Sequence, residues 1–261
     1  MSLSHPALWF MAIGILVSLA LANEAGRFVG VHTRRRRGTD PIDVGAVGSV
    51  TGGLLTLFAF VLGIALSMAS TRLEARRDSV LNEANAIGTV WLRAGLTAGP
   101  EGPEIRRILR EYTQVRIAQV TEGPDDRDDA SMTARTNALQ RDMWLRVEAL
   151  TQRDRGPIEA LLVASMNDMI DLSLTNRRNF ASHVPAIIAR LLLAVSLLTV
   201  ASIGYHFGLI GERHPIVVVV LLLVWTVAIV LVLDIDDTRD GQVRVSPAPL
   251  VWTAQGFGPD P

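Results

Sequence analysis

Side chains able to do chemistry are sparse in this sequence. The histidines His5, His32, His183, His206 and His214 show no paired spacing and no H-E-x-x-H, so no zinc hydrolase site is spelled out. There is no G-x-x-x-x-G-K-[ST] phosphate loop, no G-x-S-x-G nucleophile elbow and no G-x-G-x-x-G opening a helix after a strand. Cysteine is absent, which removes thiolate catalysis, thiolate metal sites and disulfides together. Asp234, Asp236, Asp237 and Asp240 concentrate oxygen ligands of the kind that hold Ca²⁺. Their spacing is not that of an EF-hand loop, and a solvated stop at a membrane boundary accounts for them more simply. Arg34, Arg35, Arg36 and Arg37 form a run that could meet nucleic-acid or lipid phosphates. Beside an apolar helix, such a run more often sets topology or binds anionic headgroups. The carboxylates of the middle of the chain are matched by arginines and read as solvated helix faces. None of this is enzyme chemistry.

What remains is a stripe. Val44 to Thr71 carries no charged residue and is bounded by Asp43 and Arg72. A helix crossing the hydrocarbon core needs about 20 apolar residues, so this stretch spans with length to spare. Within it Ser49, Gly52, Gly53, Thr56, Gly63, Ser67 and Ser70 fall along one helix face. Two readings fit. Small residues let membrane helices pack closely. The same stripe could instead face a water-filled path shared by several copies of the helix.

The elements that must position this stripe follow from composition. Apolar residues make up 49% of the 261-residue chain, yet 20% of it is charged. Both fit only if charge-free blocks of membrane length alternate with a charge-dense middle. A net charge of −1 gives no general pull on nucleic acid, and no nucleic-acid partner is expected. All basic residues counted with arginine are arginine, since no lysine occurs.

In order, Ala7 to Asn23 is a first retained membrane helix, ending through Glu24 and Arg27 into the arginine run. The second span does not stop at the membrane. Leu73, Val80, Leu81, Ala84, Ile87, Trp91 and Leu92 keep a three-to-four spacing, which predicts one long rod to about Leu92. Gly99 to Pro103 is a loop, and Ile105, Leu109, Tyr112 and Val115 mark a helix to about Val120. Glu122 to Ser131 reads as an acidic loop, followed by helices near Met132 to Arg153 and from Pro157. Val184 to Tyr205 is the third span, with Arg190 near enough to its end to snorkel to the headgroups. His206 to His214 is a turn, Pro215 to Leu233 the fourth span, and the remainder a short non-helical tail. The fold class is thus an all-α membrane protein with four transmembrane helices and a helical extramembrane insert between the second and third. The expected division is 1–71 for the first two membrane helices, 72–183 for the insert, 184–233 for the last two, and 234–261 for the tail.

Phe60-Val61-Leu62-Gly63 followed by Thr71-Arg72 resembles the second membrane helix of bestrophin channels. The layout agrees: two helices, a long helical insert, then two more helices ending in an acidic cluster. LGIALSMASTRLEARR, NEANAIGTVWLRAGL and LDIDDTRDGQVRVSPAPL resemble more closely the bestrophin-like family of bacterial membrane proteins, a likeness covering most of residues 45–250. Bestrophins are pentameric anion-preferring channels in which three bulky apolar side chains of the second helix form a neck. The resemblance puts that neck on Thr56, Phe60 and Ile64, although Thr56 departs from the bulky pattern. It implies a homo-oligomer, a pentamer, set in the lipid bilayer of a bacterial inner membrane and passing small inorganic ions. In animal members an acidic cluster after the fourth helix helps clasp Ca²⁺. Here Asp234, Asp236, Asp237 and Asp240 form a shorter, differently spaced string, and no cofactor is expected. Leu73 and Glu74 stand where bestrophins carry an aromatic pair.

The resemblance also implies a cytosolic insert and cytosolic termini, leaving Arg34 to Arg37 outside, where they would concentrate anions near the outer mouth. Positive-inside logic taken alone prefers that cluster inside. The leading expectation is an oligomeric ion channel lined by the second membrane helix. The competing one is a non-conducting scaffold or sensor whose helical domain binds a partner.

Overall fold

A computed structural model describes residues 6–38, 43–122, 126–237 and 243–258. Eight helices occur among them: α1 (Pro6–Arg37), α2 (Val44–Ala94), α3 (Glu101–Glu122), α4 (Asp126–Arg153), α5 (Pro157–Ala181), α6 (Ala186–Ile210), α7 (Pro215–Asp236) and α8 (Ala248–Gln255). Among the described residues there is no strand. Four of the helices, α1, α2, α6 and α7, are long and apolar enough to cross a membrane. The chain forms two compact units: Met1–Thr71 with His183–Val243, and Arg72–Ser182 with Arg244–Pro261.

The first unit is the apolar one. Its core joins Leu19 of α1, Phe58, Ala65 and Ala69 of α2, Leu192 and Val200 of α6, and Trp225 and Ile229 of α7. The closest approach is between α1 and α6. A methyl on Gly26 would stand 2.0 Å from the Ala201 carbonyl oxygen, and one on Gly204 would stand 2.1 Å from that of Asn23. Gly30 and Gly208 repeat the arrangement one turn on, so each helix offers a G-x-x-x-G ridge to the other. Such contact lets dispersion forces act backbone to backbone, where apolar lipid supplies no hydrophobic drive. It also corrects the expected end of α1. The helix does not stop at Asn23 but continues through Arg37, because Gly26 and Gly30 are still packed on α6.

Two further boundaries move. α6 runs on to Ile210 and ends at Gly211, whose φ of 83° is the left-handed cap that favours glycine, so the expected turn at 206–214 shortens. Pro215 then opens α7, where its fixed φ suits the first helical position. Arg190 is exposed in the second turn of α6, its Nε donating to the Ala186 carbonyl at 3.2 Å.

The second unit gathers the latter part of α2 with α3, α4, α5 and α8 around Ile87, Ile105, Leu109, Met143, Leu162, Met166 and Met169. α2 itself is unbroken over 51 residues, as its spacing predicts. Asp126 to Ser131, expected as loop, is helical and opens α4. The tail is also corrected: Ala248–Gln255 forms α8, anchored by the buried Leu250, with Phe257 stacked on Trp91 at 4.1 Å between ring centroids. Pro247 and Pro249 flank its start, which conceals a two-turn helix from any search for long periodicity.

Candidate functional site

The stripe singled out from the sequence lies on the unpacked face of α2. Phe58, Val61, Ala65 and Ala69 point into the core of the first unit. Thr51 hydrogen-bonds Ser202 of α6 at 2.7 Å between hydroxyl oxygens. On the other side Ser49, Gly52, Gly53, Thr56, Phe60, Gly63, Ile64 and Ser67 are exposed and Ser70 half-buried. Phe60 is 64% exposed and Ile64 39%, high for large apolar side chains. They are four residues apart and therefore stacked along one face, with Thr56 one turn before them.

The glycines among them pack against none of the described residues. A methyl placed on Gly52, Gly53 or Gly63 would meet nothing within 4 Å. That contrasts with Gly26 and Gly204, where backbone fills the space. Ser49 and Thr56 turn their hydroxyls back to the carbonyls of Gly45 and Gly52, at 3.0 Å each. Such back-bonding lets a hydroxyl sit on a helix face without an external partner.

The arginine run continues α1, and all four of its side chains are exposed. Arg34 Nη1 donates to the Ile210 carbonyl at 3.1 Å, placing a cation on the C-terminal carbonyls of α6. The acidic string is partly structural. Asp236 accepts the Val184 N–H on both carboxylate oxygens, at 2.9 and 3.0 Å, holding the approach to α6 onto the end of α7. Asp234 is buried and Asp237 follows α7 as its C-cap, while Asp240 lies outside the described residues. Among the described residues no three His, Cys, Asp or Glu side chains group to hold a metal ion.

The second unit holds polar groups that the sequence reading placed on solvated faces. Glu83 is fully buried. Its carboxylate accepts from Arg116 Nε at 2.6 Å, Arg116 Nη2 at 2.9 Å, the Tyr112 hydroxyl at 3.0 Å and Asn176 Nδ2 at 2.8 Å. Burial, followed by the adjacent Glu83 charge, drives the Tyr112 phenol above its ordinary value, against a smaller downward pull from Arg116. Arg76, 1% exposed, donates from Nη2 to the Ser182 carbonyl at 2.6 Å and from Nε to that of Asn179 at 3.3 Å. Arg72 reaches the Ser182 hydroxyl. Arg76 thus caps the C-terminal carbonyls of α5, while Arg72, one turn earlier on α2, holds the Ser182 side chain. The signal for these pairs was weak, because the partners of Glu83 lie 29 to 93 residues away.

Compared with known proteins, residues 14–250 match the family model described as Bestrophin-like domain. A bacterial bestrophin homologue from Klebsiella pneumoniae, solved as several single-residue variants, superposes over nearly its full length. One variant gives a TM-score of 0.69 at 14% identity, covering 94% of this chain and 97% of that one. Another gives 0.68 at 15% identity over 97% and 96%. A structure described as a membrane protein gives 0.68 at 12% identity over 97% of each. No curated protein matches the chain.

Proposed function

The chain belongs to the bestrophin-like family, and from that premise we propose that it assembles as a homo-oligomer, a pentamer, forming an ion channel in a bacterial inner membrane. The pore is lined by the exposed face of α2 and passes small anions. The observation that carries this reading is the division of α2 into two faces. One is packed into the protomer through Phe58, Val61, Ala65 and Ala69, and the other is left bare at Thr56, Phe60 and Ile64. Among the described residues of one protomer nothing encloses that bare face, whereas copies arranged around an axis would bring it together. Rings of Phe60 and Ile64 would bar water when narrow and admit it when widened, a hydrophobic gate. Ser49, Ser67 and Ser70 with Gly52, Gly53 and Gly63 would line the remaining path with small and polar surface. Arg34 to Arg37, exposed at the end of α1, would raise local anion concentration at the mouth on that side.

The experiment has two readouts on one sample. Purified protein in gentle detergent is sized by mass photometry, then reconstituted into liposomes for chloride and potassium flux. The reading requires several copies per particle and chloride flux exceeding potassium flux. A strictly monomeric particle, or an oligomer with no flux of either ion, would sink it and favour the scaffold.

A further inference from the structure

Within the first unit, a cleft of about 410 Å³ opens between the last turns of α1 and the turn that joins α6 to α7. Among the described residues, Arg27, Arg34, Arg35 and Arg213 all line it, against one carboxylate, Glu212. That carboxylate is already engaged by His214 Nε2 at 2.8 Å, and Glu24 nearby is held by Arg27 at 3.0 Å. The cleft is therefore cationic on balance. Arg27 and Arg213 lie outside the arginine run, and only the extension of α1 beyond Asn23, packed on α6, brings them to Arg34 and Arg35.

The surroundings say where its ligand comes from. Trp9, Phe10, Ile13, Val17 and Leu21 form an exposed apolar stripe along α1, and Phe28 continues that face one turn beyond Glu24. Arg35 stands seven residues, two turns, after Phe28 on that same face. On α7, Ile216 and Val217 begin another exposed apolar surface just after Arg213. A cationic cleft at the head of lipid-facing helices matches a molecule with a charged phosphate and an apolar tail. Arginine suits it, since its planar fork binds phosphate oxygens in pairs and is weakly hydrated.

We propose that this cleft binds a phosphate-bearing anion, supplied by the headgroup of an anionic glycerophospholipid. Arg35 and Arg213 grip the phosphate, Arg34 secures the α6 end of the wall through Ile210, and the acyl chains run down the α1 stripe past Phe28. The site is independent of whether α2 conducts.

The test is thermal unfolding of the full-length protein in neutral detergent, titrated in separate arms with phosphatidylglycerol, phosphatidylcholine and inorganic phosphate. Phosphatidylglycerol should raise the unfolding temperature more than phosphatidylcholine. In Arg35→Gln/Arg213→Gln its apparent affinity should fall by roughly tenfold or more, as loss of charge-assisted hydrogen bonds demands. If inorganic phosphate alone reproduces the shift and the variant loses it, the site stands with free phosphate as its ligand. Equal shifts from the two lipids with phosphate silent, or an unchanged shift in the variant, would overturn the proposal. Should the glutamine variant not fold, Arg35→Lys/Arg213→Lys decides: it keeps the charge but loses the paired fork, so the shift must weaken without vanishing. An undiminished or absent shift there counts against the site.

Discussion

Arg116 of α3 grips Glu83 of α2 with two nitrogens, Nε to Oε1 at 2.6 Å and Nη2 to Oε2 at 2.9 Å, inside the helical unit. Tyr112 and Asn176 donate the two further hydrogen bonds, so the buried carboxylate accepts four in all. A buried pair is costly to assemble and more costly to halve, since one partner left alone is an unsolvated charge. Arg116→Met should therefore lower stability by about 3–5 kcal/mol, while Glu83→Met/Arg116→Met should recover much of that loss. Denaturant unfolding of the intact protein in detergent, followed by helical signal, checks both. A double variant as weak as the single one would contradict the account.

The same network predicts behaviour at high pH. Tyr112 is held neutral in the folded state above its ordinary value of 10.0, chiefly by burial and then by the Glu83 charge. Below about 10 the phenol is protonated whether folded or not, and its contribution is fully present. Above that, the unfolded chain releases a proton that the folded one keeps, so stability falls as pH rises, by up to about 1.4 kcal/mol per pH unit. Tyr112→Phe should remove this part of the slope between pH 10 and 11.5. An identical slope in the variant would assign the decline to other groups.

The packing of α1 on α6 makes a sharper steric forecast. Gly204→Ala would drive a methyl to 2.1 Å from the Asn23 carbonyl oxygen and 3.1 Å from the Arg27 nitrogen, both backbone atoms. Overpacking that forces backbone to shift costs on the order of 1–3 kcal/mol, and the apparent melting temperature should drop accordingly. Gly52→Ala is the matched control, because nothing lies within 4 Å of its added methyl. In the same detergent sample it should not lower the melting temperature, since alanine also suits a helix interior better than glycine.

These sites differ in how far the sequence discloses them. The rod of α2 was legible because Val44 to Thr71 carries no charge and the apolar spacing persists past Arg72 without a breaker. The end of α1 was not, since Glu24 and Arg27 look like an exit from the bilayer while Gly26 and Gly30 keep the helix seated on α6. Their spacing, repeated at Gly204 and Gly208, was visible but is common in apolar helices. The burial of Glu83 is not legible, because a carboxylate among arginines reads as solvated and its partner Arg116 sits on another helix. The stripe from Ser49 to Ser70 was legible as one face, but the sequence alone did not separate intramolecular packing from exposure.

Two phenylalanines two residues apart on α2 give the most direct test of what that bare face is for. Phe58 is 8% exposed and lies 4.4 Å from the Trp225 ring of α7, between centroids. Phe60 is 64% exposed and points away from that core. Removing the first should leave a cavity, at about 3–5 kcal/mol by the usual cost of deleting a buried phenyl ring. Phe58→Ala should therefore melt early and yield fewer intact particles. Phe60→Ala removes a ring that touches little of its own protomer. If it narrows a shared pore, the alanine ring is wider, admits water more readily and lowers the barrier to ion entry. Liposome chloride flux should rise while melting temperature and particle mass stay at the wild-type values. Ile64→Ala, one turn further along the same face, should act in the same direction. A Phe60→Ala protein that loses its assembly and gains no flux would place that ring in a contact between copies, away from the conduction path.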